Sequence, residues 1–134
     1  MYLLDTVVLS ELRKKERNMG LTAWIAAKPD SELFISVISI GEITRSISLQ
    51  MKVNPDFAKA LRLWLERLIL AYGDRIVPVD ERVARRCGDL SAQIGNTDAD
   101  ILVAATALEH DLAVVSRNEK HFANTGVRVI NPWL

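Results

Sequence analysis

The sequence predicts an α/β fold, a single α/β/α sandwich around a mainly parallel central sheet. Three observations favour this class. Short apolar runs recur along the chain and alternate with segments of helical spacing. Strands that alternate with helices need crossover connections, and such connections make neighbouring strands parallel. Finally, residues 101–108 are almost all apolar, which predicts a helix that is buried on every side.

The predicted strands are short apolar runs, several of them rich in β-branched residues. They cover residues 2–9, 34–38, 75–79, 112–115 and 126–133. Asp5 and Thr6 interrupt the first strand, which is otherwise apolar on both sides of them. Pro78 has no amide hydrogen to donate, so the third strand is expected at an edge of the sheet or to end there.

The predicted helices have apolar side chains at intervals of three or four residues. They cover residues 20–28, 39–51, 55–72, 81–94 and 99–110. Asn54 caps the third helix, which begins at Pro55. Gly95 ends the fourth helix. The fifth is the buried helix, and either Thr97 or Asp98 caps its start.

Size and composition predict one globular domain that spans residues 1–134. The 17 basic and 17 acidic residues cancel, so any contact with nucleic acid must come from a local patch. The single cysteine, Cys87, excludes an internal disulfide framework and a zinc site built from cysteines. No segment resembles a signal peptide or is apolar over the length of a bilayer, so we expect a cytoplasmic protein without membrane contact.

Three carboxylates fall where predicted strands end or helices begin. Asp5 ends the first apolar run, Glu42 lies in the first turn of the second predicted helix, and Asp100 lies at the start of the buried helix. In a parallel sheet all three reach the carboxyl edge, where ligands bind. Acids gathered without a lysine or arginine raise each other's pKa, and a divalent cation relieves the repulsion. Oxygen ligands without cysteine or paired histidine favour Mg²⁺ or Mn²⁺, and phosphodiester hydrolysis uses such sites.

Each acid also has an interpretation that needs no ligand. Asp5 can form a turn with its own backbone, although a charge inside an apolar run favours function. Ser39 and Glu42 have the spacing of a capping box, in which the Glu42 carboxylate accepts from the Ser39 amide. Asp98 and Asp100 point to different helix faces, so one of them is expected to be the cap.

Five blocks along the chain resemble the PIN-domain family, and within it the toxins of the VapC and FitB type. They are Met1–Thr6, Ile38–Ile43, Asp100–His110, Val115–Asn118 together with Phe122, and Gly126–Trp133. The blocks occur in order over the whole chain. The resemblance implies a PIN-like sandwich and a Mg²⁺-dependent endoribonuclease, with Mn²⁺ as a substitute ion.

The resemblance also implies roles for individual residues and for partners. It assigns metal binding to Asp5, Glu42 and Asp100, and it favours Asp100 over Asp98 because Asp100 stands four residues before the Ala-Ala-Thr-Ala run. It implies an RNA substrate and a cognate VapB-like antitoxin that holds the nuclease inactive. It further implies a homodimer, alone or inside a larger toxin–antitoxin complex.

Two positions depart from the family pattern. Val7 follows Asp5-Thr6 where the family commonly has Asn, and His121 stands where the family often has an Asp before Phe. A non-catalytic PIN-like protein-binding module with a decayed metal site is therefore the alternative to a nuclease. A phosphatase with Asp5 as nucleophile is disfavoured, because that pattern needs a second Asp where Val7 stands. Two arginines are candidates for contacts to RNA phosphates, or else are exposed surface charges: Arg45 and Arg117.

Overall fold

Strands and helices alternate along the chain. The computed structural model describes residues 1–134. The five strands are β1 (Tyr2–Leu4), β2 (Leu33–Ser36), β3 (Ile76–Val77), β4 (Ala113–Val115) and β5 (Val129–Ile130). The six helices are α1 (Thr6–Arg13), α2 (Met19–Ala26), α3 (Val37–Val53), α4 (Pro55–Tyr72), α5 (Glu81–Ile94) and α6 (Ala99–Glu109). None of these helices combines the length and the apolar character needed to cross a membrane.

The strands form one parallel sheet in the order β3-β2-β1-β4-β5. The chain moves outward from β1 through β2 to β3, and then returns to the other side of β1. The carboxyl ends of β1 and β4 therefore flank the point where the strand order reverses, which is where open parallel sheets place their ligand sites. The predicted sandwich around a parallel sheet is confirmed, and so is the edge position of the third strand.

The sheet has a core on each face, because successive side chains of a strand point to opposite sides. Leu4 and Val115 pack on one face with apolar side chains from α1 to α4. Leu3 and Val114 pack on the other face with side chains from α6. Six residues of α6 are buried, so the prediction of a helix enclosed on all sides is confirmed.

The predicted ends of four strands are wrong. Residues 7–9 belong to α1 and not to a strand, since Asp5 accepts a hydrogen bond from the Thr6 amide and starts a helix there. A short buried apolar run does not by itself separate strand from helix. Residues 37 and 38 likewise begin α3, because Ser36 caps it. The predicted strands at 75–79 and 126–133 shrink to two residues each.

The C-terminal segment lies against the start of α2. The Asn18 side chain caps that helix, and its amide also bonds both the N–H and the carbonyl oxygen of Leu134, at 3.2 and 3.0 Å. Gly20 lies directly beneath this segment. A Cβ at Gly20 would lie 2.3 Å from the Pro132 carbonyl oxygen, so only glycine allows the close approach.

Candidate active site

Asp5 lies at the reversal point of the sheet. Its N–H donates to the Val115 carbonyl oxygen at 3.0 Å, which extends the pairing of β1 with β4 by one residue. Its Oδ1 accepts from the Thr6 amide at 2.9 Å, so the side chain caps α1. The alternative of a local turn is thus partly right, because the carboxylate does bond its own backbone.

The second oxygen of Asp5 faces a buried hydroxyl. Ser116 Oγ donates to Asp5 Oδ2 at 2.8 Å and accepts from the Asn118 amide at 3.0 Å. Asp5 is 7% exposed. Burial raises the pKa of Asp5 above its ordinary value, the hydrogen bonds from Ser116 and Thr6 oppose the rise, and repulsion from Asp100 adds to it. The Asp5 carboxyl is thus held where a negative charge is poorly solvated.

Glu42 comes from α3, and a hydroxyl pair holds it. The Thr6 hydroxyl lies 2.8 Å from Glu42 Oε1 and 2.7 Å from the buried Ser39 hydroxyl. A carboxylate only accepts, so Thr6 donates to Glu42 and accepts from Ser39. The capping-box interpretation is wrong. The helix begins two residues before Ser39, and its cap is Ser36, whose Oγ accepts from the Ile38 amide.

Asp100 lies in the first turn of α6 and contacts a histidine. His121 Nδ1 lies 3.1 Å from Asp100 Oδ2. Burial raises the pKa of Asp100, attraction to His121 opposes the rise, and repulsion from Glu42 and Asp98 adds to it. Asp98 is the cap of α6 by position, but its side chain makes no capping hydrogen bond.

The three predicted acids share the carboxyl edge of the sheet. Asp100 is close enough to both Asp5 and Glu42 for repulsion to act between the carboxylates. No lysine or arginine forms an ion pair with any of them; the three ion pairs of the chain are Lys14–Glu11, Arg86–Glu109 and His121–Asp100. The three carboxylates therefore come together without a lysine or arginine that pairs with any of them.

The chemistry of these donors fits a hard divalent cation. All three candidate ligands are carboxylates, and burial works against the charge of two of them, which a cation would offset. Nevertheless, no three His, Cys, Asp or Glu side chains of the chain stand close enough together to form a ready-made metal site. Binding would therefore require the carboxylates to approach one another further.

Other polar residues near the acids have defined partners. The Asn118 carbonyl oxygen accepts from the His121 amide at 3.1 Å, which shapes the short 3₁₀ turn at residues 119–122. Glu119 accepts from the Asn131 side chain at 3.0 Å, so it is engaged away from the other acids. Arg117 is exposed and lies near enough to Glu11 to attract its carboxylate.

A cavity of about 410 Å³ opens between α1, α3 and α4 beside Glu42. Thr6 and Glu42 line one end of it, and Arg45 is exposed on its wall. Trp64 and Phe57 supply aromatic surface, and the Arg13 guanidinium lies 5.2 Å from the centre of the Phe57 ring. Two positive groups, Arg13 and Arg45, thus line the same cavity as Glu42.

Comparison with known proteins agrees with this fold. The family model described as the PIN domain matches residues 2–127. The chain belongs to the PIN domain family. Among relatives of this PIN domain, VapC ribonuclease Y4jK of Sinorhizobium fredii is 32% identical over 142 residues, covering 99% of this chain and 98% of the relative. Toxin FitB of Neisseria gonorrhoeae is 32% identical over 139 residues, covering 99% of both.

The PIN domain also superposes on a solved structure. The crystal structure of FitAcB from Neisseria gonorrhoeae matches with a TM-score of 0.87 and 31% identity, and the match covers 99% of each chain. Both the sequence match and the structural match thus point to the same family.

Three hydroxyl residues of the site were not predicted from the sequence: Thr6, Ser39 and Ser116. Each holds or supports one of the acids, whereas the sequence indicates Ser39 only as a capping-box residue and Thr6 only as an interruption of the first strand. The available signal was their position, since Thr6 follows Asp5, Ser39 precedes Glu42 by one helical turn, and Ser116 follows a buried strand.

Proposed function

We propose that this PIN domain is a Mg²⁺-dependent endoribonuclease toxin of a type II toxin–antitoxin pair, which hydrolyses RNA phosphodiester bonds with water as the nucleophile. One observation carries the proposal: Asp5, Glu42 and Asp100 come from three separate elements to one edge of the sheet, and no lysine or arginine neutralises them. The names of the relatives, a VapC ribonuclease and a toxin, support the same reaction and role.

Asp5, Glu42 and Asp100 would hold the Mg²⁺, for which Mn²⁺ is a substitute. When bound, a divalent cation makes water a better nucleophile and stabilises the negative charge that develops on the phosphate. The protein's own contribution is positioning. Ser116 and the Thr6 amide fix both oxygens of Asp5, while the Thr6 hydroxyl fixes one oxygen of Glu42.

RNA would approach from the cavity side of Glu42. The chain has no net charge, so the phosphate backbone needs a local positive patch. Arg45 is exposed one helical turn after Glu42, and neither it nor Arg13 forms an ion pair. These two arginines would contact backbone phosphates on either side of the bond that is cut. Arg117, which is exposed beside Asn118, would add to the same attraction.

The partner proposed for this chain is a cognate VapB-like antitoxin. The three acids attract cations whatever carries them, so an antitoxin arginine or lysine inserted at this edge would both bind the toxin and exclude the metal. We further propose that the chain forms a homodimer, alone or within a larger complex with the antitoxin. Size-exclusion chromatography with light scattering, with and without the protein encoded beside this chain, measures both assemblies.

Cleavage of a single-stranded RNA by the purified chain tests the proposed reaction. We expect Mg²⁺ to support cleavage, a chelator to stop it, and Asp5→Asn and Glu42→Gln to lose it. Asp111→Asn is the matched control. Asp111 is exposed at the other end of α6 with a positive φ of 55°, and Asn tolerates that conformation. Equal cleavage by Asp5→Asn and Asp111→Asn would mean that the activity belongs to a contaminant.

A non-catalytic protein-binding module is the second candidate. It is favoured by the absence of a ready-made set of three metal ligands and by His121 at the position where the family often has an acid. In that case the wild-type chain binds the antitoxin but shows no metal-dependent cleavage. Titration calorimetry with Mg²⁺ separates the candidates further, because a decayed site gives no binding heat that depends on Asp5.

A further inference from the structure

His121 contacts the candidate metal site with a ring nitrogen, whereas the other three candidate residues contribute carboxylate oxygens. Its Nδ1 lies 3.1 Å from Asp100 Oδ2, and its side chain is 55% exposed. An imidazole can donate to a carboxylate, but its nitrogen is also a metal ligand. The pair therefore places a nitrogen donor directly beside an oxygen donor at the open side of the site.

The chain backbone holds this histidine in place. The next residue, Phe122, is 2% exposed and packs in the α6 core with Val103 and Ala104. The His121 amide donates to the Asn118 carbonyl oxygen at 3.1 Å. Because α6 also carries Asp100, both partners of the pair are anchored to the same core. The backbone at His121 is thus fixed beside Asp100, and the ring is still open to solvent.

We propose that His121 is a ligand of the cation held by Asp100, and that it shifts the preference of this site from Mg²⁺ towards divalent transition ions, for which Mn²⁺ is the probe. The inference rests on the proposed function. Mg²⁺ takes oxygen ligands and gives up its waters reluctantly. Imidazole nitrogen suits transition ions such as Fe, Ni and Zn instead, and Mn²⁺, which also accepts oxygen ligands, is the first member of that affinity series. A site with one imidazole beside carboxylates is consequently better matched to the transition ions than a site of carboxylates alone.

The surroundings of the pair are compatible with a bound cation. A cavity of about 330 Å³ adjoins Asp100 and His121, and it is also lined by Asp98 and Lys120. Asp98 and Lys120 carry opposite charges, so together they add no net charge to the cavity wall. The rival interpretation gives His121 the role of an internal cation that only neutralises Asp100. The two interpretations predict opposite effects of removing the ring, because a neutralising group competes with the metal whereas a ligand recruits it.

Titration calorimetry of the metal-free full-length chain with MnCl₂ and with MgCl₂ is the test. For His121→Ala we expect Mn²⁺ affinity to fall by about 10-fold or more, the scale on which changes around metal ligands act, with a much smaller change for Mg²⁺. For His121→Asp we expect the preference to turn towards Mg²⁺. His110→Ala is the matched control, since His110 is the only other histidine and lies exposed at the opposite end of α6.

Electron spin-echo spectroscopy of bound Mn²⁺ supplies a direct readout. We expect a ¹⁴N coupling from a coordinated imidazole in the wild-type chain and in His110→Ala, and none in His121→Ala. Absence of that coupling in the wild-type chain, or unchanged or tighter Mn²⁺ binding by His121→Ala, overturns the inference. If Asp100→Asn still abolishes Mn²⁺ binding in that case, the proposed metal site stands without His121. If the wild-type chain binds neither ion, the inference and the metal-dependent function both fall.

Discussion

Replacing Ser116 by alanine removes two hydrogen bonds beneath the candidate site and nothing else of substance. The hydroxyl donates to Asp5 Oδ2 and accepts from the Asn118 amide. Ser116 is fully buried, so water cannot replace the lost partner. Alanine keeps the Cβ, and the missing oxygen leaves no large cavity. The perturbation therefore isolates the support that one hydroxyl gives to a buried carboxylate.

The expected loss of stability in Ser116→Ala follows from the two hydrogen bonds that the variant lacks. A hydrogen bond to a charged group contributes about 1.5–3 kcal/mol, and one between neutral groups about 0.5–1.5 kcal/mol. We expect Ser116→Ala to lower the free energy of unfolding at neutral pH by about 2–4 kcal/mol. Metal affinity falls as well, because Asp5 loses the contact that fixes its orientation.

The same variant has a predicted dependence on pH. Burial raises the pKa of Asp5 in the folded chain above 3.8, so the folded state binds this proton more tightly than the unfolded state does. The protonated Asp5 carboxyl therefore stabilises the folded chain at low pH, and this contribution to the free energy of unfolding is lost as pH rises from 3.8 through the pKa of the folded state. The Ser116 hydrogen bond opposes the rise in pKa. Its removal raises the folded pKa further, and the variant diverges from the wild type as pH increases.

Urea unfolding of both chains at about pH 4 and about pH 7, without metal, measures the effect. We expect the larger difference at the higher pH. Ser48→Ala on the exposed face of α3 is the control, with a change of about 0.5 kcal/mol or less. The reasoning is refuted if Ser116→Ala matches Ser48→Ala at neutral pH, or if its cost does not change with pH.

Three further substitutions test other parts of the structure. Asp5→Asn should raise the urea midpoint at neutral pH, and the gain should shrink as pH falls towards 3.8, because it removes a charge that burial disfavours; a gain equal to that of Asp111→Asn contradicts this. Phe122→Ala should cost about 3–5 kcal/mol in the free energy of unfolding, since the ring is buried in the α6 core; a cost under about 1 kcal/mol would show that the site collapses freely. Gly20→Ala should destabilise the fold by about 1–3 kcal/mol because its Cβ meets the Pro132 carbonyl oxygen. Gly88→Ala, which has open space around it in α5, should instead stabilise the fold by about 0.5–1 kcal/mol. Thermal unfolding of both variants measures the two effects, and a change of the same sign in both would contradict the packing described.

Much of the fold could be predicted from hydrophobic spacing. The buried character of α6 follows from residues 101–108, and Asn54-Pro55 marks the start of α4. The strand boundaries could not be predicted as well. Residues 7–9 are apolar in either a strand or a buried helix, and the Asp5 side chain decides between them by capping α1. The apolar run by itself does not indicate that choice, and the signal is the capping residue that precedes it.

The acids of the candidate site could be selected from their places at strand ends, but the groups that hold them could not. Thr6 and Ser39 are 33 residues apart, and Ser116 and Asp5 are 111 apart. Such contacts depend on the strand order, which brings β4 and not β3 next to β1. The His121–Asp100 contact has the same origin. Which of these residues bind metal is still a prediction.

Asp5 serves two purposes, one in the fold and one in the candidate site. The residue opens α1 as well as contributing a negative charge to the edge of the sheet. A lineage that gave up the chemistry would still need Asp, Asn, Ser or Thr there to begin the helix. An Asp at this position in a related chain is therefore only weak evidence that the chain is an active nuclease. Glu42 is exposed and caps no helix. In a related chain that has lost nuclease activity, we therefore expect Glu42 to be replaced before Asp5.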